Sequence, residues 1–144
     1  MTRGVRWVLV AAALVAGLVS VAAGHWVWRN RQIADPKFDA SVAKPAYPAP
    51  GPRVCIDQAH HNFATASGRY RPFAELLRND GYTVTANQAR FTPEALAACD
   101  VLVIANALGA RWPFLPGAAG PAFTPAEIGQ VVAWVEGGGA LLLI

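Results

Sequence analysis

Between Trp7 and Trp28 the chain is apolar apart from Ser20 and His25. A run of that length constrains the chain more than anything after it. A helix needs about 20 residues to cross a hydrocarbon core of roughly 30 Å, and in lipid every peptide group has to be satisfied within its own segment. Arg3 and Arg6 precede the run and Arg29 and Arg31 follow it. Trp7, Trp26 and Trp28 lie at its ends, where indole rings favour the headgroup layer. Residues 1–6 are then a short tail, residues 7–28 a transmembrane helix or signal anchor with the lipid bilayer as partner, and the rest a domain held at or delivered to a cell membrane.

A cleaved signal peptide is the competing reading. Arg3 and Arg6 would form its basic start, and Val21-Ala22-Ala23 offers small residues for cleavage. Signal-peptide apolar cores run to about 7–15 residues, whereas this one continues into Trp26-Val27-Trp28, so an uncleaved single-pass anchor is the expectation. The arginines balance across the span. The free N-terminal amine and very short tail favour a cytoplasmic N-terminus with the domain outside the cytoplasm.

The net charge of +3 belongs to the anchor and its flanks. From Arg53 onward six arginines face seven carboxylates, with no lysine. A near-neutral domain lacks the electrostatic footprint of a nucleic-acid binder. Residues 29–52 read as a juxtamembrane linker, punctuated by Pro36, Pro45, Pro48, Pro50 and Pro52. Proline favours an extended chain without backbone donors, and at about 3.1 Å per residue such a tether would reach roughly 50 Å.

Residues 53–144 alternate strand and helix. Arg53-Val54-Cys55-Ile56-Asp57 is a short apolar run of the kind found in buried parallel strands. Tyr70–Asp80 reads as a helix with Phe73, Leu76 and Leu77 on one face and Gly81 as its stop. Tyr82–Thr85 has strand composition. Thr92-Pro93-Glu94 starts a short helix with a cap and a proline at the first turn. Val101–Ile104 is a third strand. Thr124-Pro125-Ala126-Glu127 starts another helix, with Glu127 closing a capping box. That helix is expected to turn Ile128, Val131, Val132 and Val135 inward and to stop at Gly137-Gly138-Gly139. Ala140–Ile144 is a fourth strand. Such alternation implies right-handed crossovers and a Rossmann-like parallel sheet. The chain reaches its last residue inside an apolar strand, so further strands and helices are expected beyond it and the domain is read as incomplete.

Asp57-Gln58-Ala59-His60-His61-Asn62-Phe63 is the most unusual polar stretch, holding two of the three histidines. In open parallel sheets ligands bind beyond the carboxyl ends of the strands, where strand order reverses. With an order 2-1-3-4, the first strand delivers Asp57, Gln58, His60, His61 and Asn62 to that crevice, and the third delivers Asn106. These six are the candidate ligand-binding residues, and Asp57, His60 and His61 the candidate catalytic ones. The loop Asn106–Phe123, with Trp112 and Phe114, would lie over or beside them; loops this long are often functional or disordered. A histidine oriented by Asp57 suits acid–base work, but no paired nucleophile is evident. Zinc hydrolysis needs three protein ligands, and no third ligand is identifiable, so neither metal nor cofactor is assigned. The competing structural reading has Asp57 capping backbone donors while a histidine and Asn62 tie down the loop.

No G-x-x-x-x-G-K-[ST] loop is present, which removes a helicase-type ATPase. Ser67-Gly68-Arg69 ahead of a helix could hold an anion on its amides, although a helix entry with an incidental arginine is the commoner arrangement. Cys55 and Cys99 read as two buried thiols; export would permit a disulfide between them. Neither sits on a nucleophile elbow.

Ile56-Asp57-Gln58-Ala59-His60-His61-Asn62-Phe63, Gly68-Arg69-Tyr70, Pro72-Phe73-Ala74-Glu75-Leu76-Leu77, Asp80-Gly81-Tyr82, Asp100–Asn106 and Trp134–Ile144 together resemble a family of uncharacterised bacterial membrane-anchored proteins. Members of that family carry a domain similar to class I glutamine amidotransferases. The resemblance spans residues 53–144 and implies an amidotransferase-like α/β fold without an established reaction. Its pattern has Glu where this chain has Gln58, which weakens an acid–base or metal role there. The amidotransferase nucleophile would follow the strand ending at Ile144. The expectation is a membrane-anchored extracytoplasmic binding or assembly module of the cell envelope, with an envelope protein or small molecule as partner. The alternative is a hydrolase or amidotransferase-like enzyme with its crevice at the end of the first strand.

Overall fold

The computed structural model describes the backbone of residues 3–48, 50–111 and 120–144. Trp112 and Phe114 of the long loop lie outside the described residues. The chain divides into two units, one ending at Ile33 and the other running Ala34–Ile144.

The first unit is one continuous helix, α1, Arg3–Asn30. Its stretch Gly4–Trp28 is long and apolar enough to cross a membrane, and none of its most apolar window is buried against protein. Trp7, Leu14, Leu18, Val21 and Trp28 are all exposed, giving an apolar surface on every side.

The second unit contains β1 Arg53–Asp57, α2 Arg71–Asn79, β2 Thr83–Asn87, α3 Pro93–Ala97, β3 Val101–Ile104, α4 Pro125–Glu136 and β4 Ala140–Leu143. The four strands form one parallel sheet in the order β2-β1-β3-β4. Val54 lies beside Val84 on one side and Val101 on the other, and Leu102 beside Leu141.

The two-residue period of β1 divides the core. Val54 and Ile56 face α2 and pack with Ala66, Ala74 and Val103, while Phe73 and Leu77 close that layer. Cys55 faces the opposite way and packs with Leu96, Leu102, Ile104 and Val131. Asp57 continues the Cys55 face and Gln58 the Ile56 face. This alternation separates two polar residues that are neighbours in sequence.

Local chemistry sets the helix ends. Thr92 caps α3 by accepting from Ala95 N at 3.2 Å. Thr124 caps α4 in a complete capping box with Glu127. After α2, Gly81 N donates to Arg78 O and Tyr82 N to Leu77 O, which is a Schellman ending. Gly81 has φ +97°, and a Cβ there would collide with the carbonyl oxygen of Tyr47.

That close approach is one reason the proline-rich segment is not a free tether. Residues 34–52 belong to the α/β unit. Ala46 N donates to Asp80 Oδ1 at 2.7 Å, and Asn79 Nδ2 to Ala40 O at 2.8 Å. Tyr47 N reaches Asp80 O, Gly51 N reaches Gly81 O, and the Tyr47 and Tyr82 rings meet edge to face at 4.8 Å. Proline rigidity here serves an extended strap on the domain surface.

Two further expectations change. Cys55 and Cys99 are not free thiols but a disulfide, with Cα atoms 5.6 Å apart. On α4 only Val131 of the four expected core residues is buried; Ile128, Val132 and Val135 are exposed. The line Glu127–Val131–Trp134 faces the sheet, and Ile128–Val132–Val135 lies one residue, about 100° of helix rotation, away from it. With Leu141 and Leu143 of β4, Ile128 and Val132 border an apolar cleft of about 210 Å³.

Candidate functional site

The end of β1 turns sharply after Asp57. Asp57 Oδ1 accepts from Ala59 N at 3.2 Å. His60 N donates to Asn62 Oδ1 at 3.0 Å, and Asn62 Nδ2 donates to Asp57 Oδ2 at 2.9 Å and to Ala105 O at 3.2 Å. This tight turn folds His60 back beneath the strand end. His60 Nδ1 lies 3.0 and 2.9 Å from the two Asp57 carboxylate oxygens. Its Nε2 lies 2.9 Å from Glu127 Oε1, contributed by α4 from 67 residues away.

A carboxylate on each side leaves no donor except the imidazole. Ionised carboxylates only accept, so the hydrogen bonds on the two sides of the ring have to be donated by His60. Aromatic rings enclose the imidazole as well, with the Phe91 ring at 4.6 Å and the Phe123 ring at 4.7 Å. Asp57, His60 and Glu127 expose 0, 3 and 4 % of their surfaces. Every charge in the triad is therefore buried and paired, as burial demands.

Glu127 also accepts at Oε2 from Thr124 N, Thr124 Oγ1 and Arg90 Nη1, at 2.9, 2.8 and 3.1 Å. Burial pushes its pKa up, but the hydrogen bonds from His60 and Thr124 outweigh burial, and the His60 charge adds to them. The net result is a carboxyl held at about 2. One side chain thus closes a helix cap, an ion pair with the exposed Arg90, and the buried triad.

The sequence-derived candidates therefore separate. Asp57, His60 and Asn62 come together, but Asp57 and His60 are closed off from solvent. His61 and Asn106 are exposed, and both have positive φ, 54° and 48°. The left-handed region is uncommon for residues other than glycine, though Asn and His are enriched in it. Phe63 N donates to Asn106 O, and Leu108 N to His60 O, so the ends of β1 and β3 are stitched together as the crevice geometry requires. Gln58 departs to the α2 side. Its Nε2 is buried without a hydrogen-bond partner among the described residues.

Sequence reasoning placed Glu127 only in a capping box and missed its partnership with His60. It also missed Phe91 and Phe123 as walls. The available signal was the coincidence of a cap with a carboxylate on the sheet-facing line of α4. Among the described residues no three His, Cys, Asp or Glu side chains are arranged to hold a metal ion; in the triad the imidazole lies between the carboxylates and occupies the space a cation would take. Comparisons with protein-family models, with curated proteins and with solved structures find no match.

Proposed function

We propose that this chain is a membrane-anchored, extracytoplasmic binding or assembly module of the cell envelope, built on an amidotransferase-like α/β domain without catalytic use of the β1 cluster. The buried, fully paired Asp57–His60–Glu127 triad carries this reading. A general base has to reach a substrate proton, and both His60 nitrogens are already engaged inside the domain. Its chemistry is spent on holding the β1 turn to α4. The Cys55–Cys99 bridge supports the extracytoplasmic placement, since disulfides persist in oxidising compartments. The apolar helix α1 supports the anchor. His61 and Asn106 are the polar groups that the crevice offers to a partner.

The test pairs capture with turnover. Formaldehyde crosslinking in cells should give a discrete adduct of the full chain that weakens in His61→Gly and Asn106→Gly at unchanged melting temperature, glycine being tolerant of the positive φ at both positions. Amide, ester and phosphate-ester substrates should show no turnover above a boiled control. Turnover by the wild type that His60→Gln abolishes, with the fold intact, would replace the module with the hydrolase.

A further inference from the structure

The one buried polar side-chain atom left without a partner among the described residues is Gln58 Nε2, and Gln58 lines a cleft. The cleft has a volume of about 340 Å³ and is lined by Gln58, Ser67, Arg71, Glu75, Arg78 and Gln88, with two alanines between them. That volume lies within the usual range for small-molecule pockets. Its position follows from the topology. Gln58 N donates to Asn87 O at 2.8 Å, which fixes Gln58 at the carboxyl ends of β1 and β2. Arg71, Glu75 and Arg78 recur on successive turns of α2 and form the opposite wall.

The charges there do not cancel. Arg71 Nη1 pairs with Glu75 Oε1 at 3.4 Å, and Arg71 Nη2 approaches Asp35 O at 3.5 Å. Arg78 has no ion-pair partner among the described residues. Two guanidinium groups and one carboxylate leave one positive charge, next to an amide donor that folding has desolvated without compensation. A buried donor without a partner is costly, and an incoming acceptor relieves that cost. A carboxylate meets both needs, as an acceptor-only anion suited to guanidinium geometry. Glu75 disfavours a dianion.

We propose that this cleft binds the carboxylate group of a small organic acid, with Gln58 Nε2 and Arg78 as its donors. The proposal rests on the binding-module reading and names a ligand class for it, at a site on the α2 side of β1 rather than at the His61–Asn106 crevice.

Titration of the full-length chain in detergent micelles with acetate, succinate and inorganic phosphate at constant ionic strength tests it. The readout is the Gln58 side-chain amide cross-peak. Acetate or succinate should shift that peak saturably with a Kd of about 1 mM or tighter, and phosphate should bind more weakly. Arg78→Gln should weaken binding about tenfold, the loss of one charge-assisted hydrogen bond. Gln58→Met should abolish binding while leaving the melting temperature equal or higher, because the amide has no partner to lose. A lower melting temperature for Gln58→Met, or linear, non-saturating shifts in the wild type, would overturn the cleft. A persistent crosslinked adduct alongside non-saturating shifts would defeat the cleft alone. Saturable carboxylate binding without an adduct would defeat the assembly reading alone.

Discussion

His60 and His61 are adjacent in sequence and opposite in consequence. His60 is held between two carboxylates and two phenyl rings; His61 faces solvent. His60→Gln strands at least one buried carboxylate and should cost roughly 3–5 kcal/mol, read by urea denaturation. His61→Asn, which tolerates the positive φ there, should stay within about 0.5 kcal/mol of the wild type. Glu127 gives the triad a pH signature. Its carboxyl titrates at about 2 in the fold against an ordinary value of 4.5. A lowered folded pKa means that its stabilisation is complete above the ordinary value and is lost as pH falls towards the folded one. Melting temperature should therefore drop between about pH 4.5 and pH 2, and His60→Gln should move that acid limb to higher pH. Loss on the alkaline side alone would contradict the ionised Glu127. A histidine paired with Asp57 was legible in sequence, three residues along the same turn; the Glu127 side was not, because it lies 67 residues from His60 and the capping box alone already accounts for Glu127.

At the scale of elements, sequence was most informative where the physics is local. The caps at Thr92 and Thr124 and the glycine stop after α2 each involve a few consecutive residues, and the structure has all three. Strand–helix alternation was enough for a parallel sheet, and the order β2-β1-β3-β4 that the crevice argument assumed is the one the sheet has. Orientation of α4 was not legible, because Ile128, Val131, Val132 and Val135 are apolar over more than one face, so the pattern could not say which line meets the sheet. The disulfide and the docked strap depend on contacts across 44 and 34 residues, beyond any local signal. Each has a measurable consequence. Replacing both cysteines by alanine opens a long loop in the unfolded chain and should cost about 2–4 kcal/mol. Gly81→Ala places a Cβ against the Tyr47 carbonyl at a positive φ. It should destabilise the domain by more than about 1 kcal/mol and raise amide exchange at Ala46, Tyr47 and Gly51. Unchanged exchange there would mean that the strap does not depend on the Gly81 approach.

For the whole molecule, an apolar helix and a disulfide-bridged α/β unit make a joint demand on place. α1 is long and apolar enough to cross a bilayer, and disulfides such as Cys55–Cys99 persist where thiols are oxidised. The proposed arrangement, a cytoplasmic N-terminus and a domain on the far side of the membrane, is the one the short N-terminal tail favoured in the sequence although the flanking arginines balance. Protease shaving decides it directly. In spheroplasts of a bacterial host, the full-length chain of 15.2 kDa should remain with carbonate-washed membranes, and protease added from outside should remove the α/β unit. A shortened protein released into the medium, or a full-length chain that resists external protease until the spheroplasts are lysed, would contradict it.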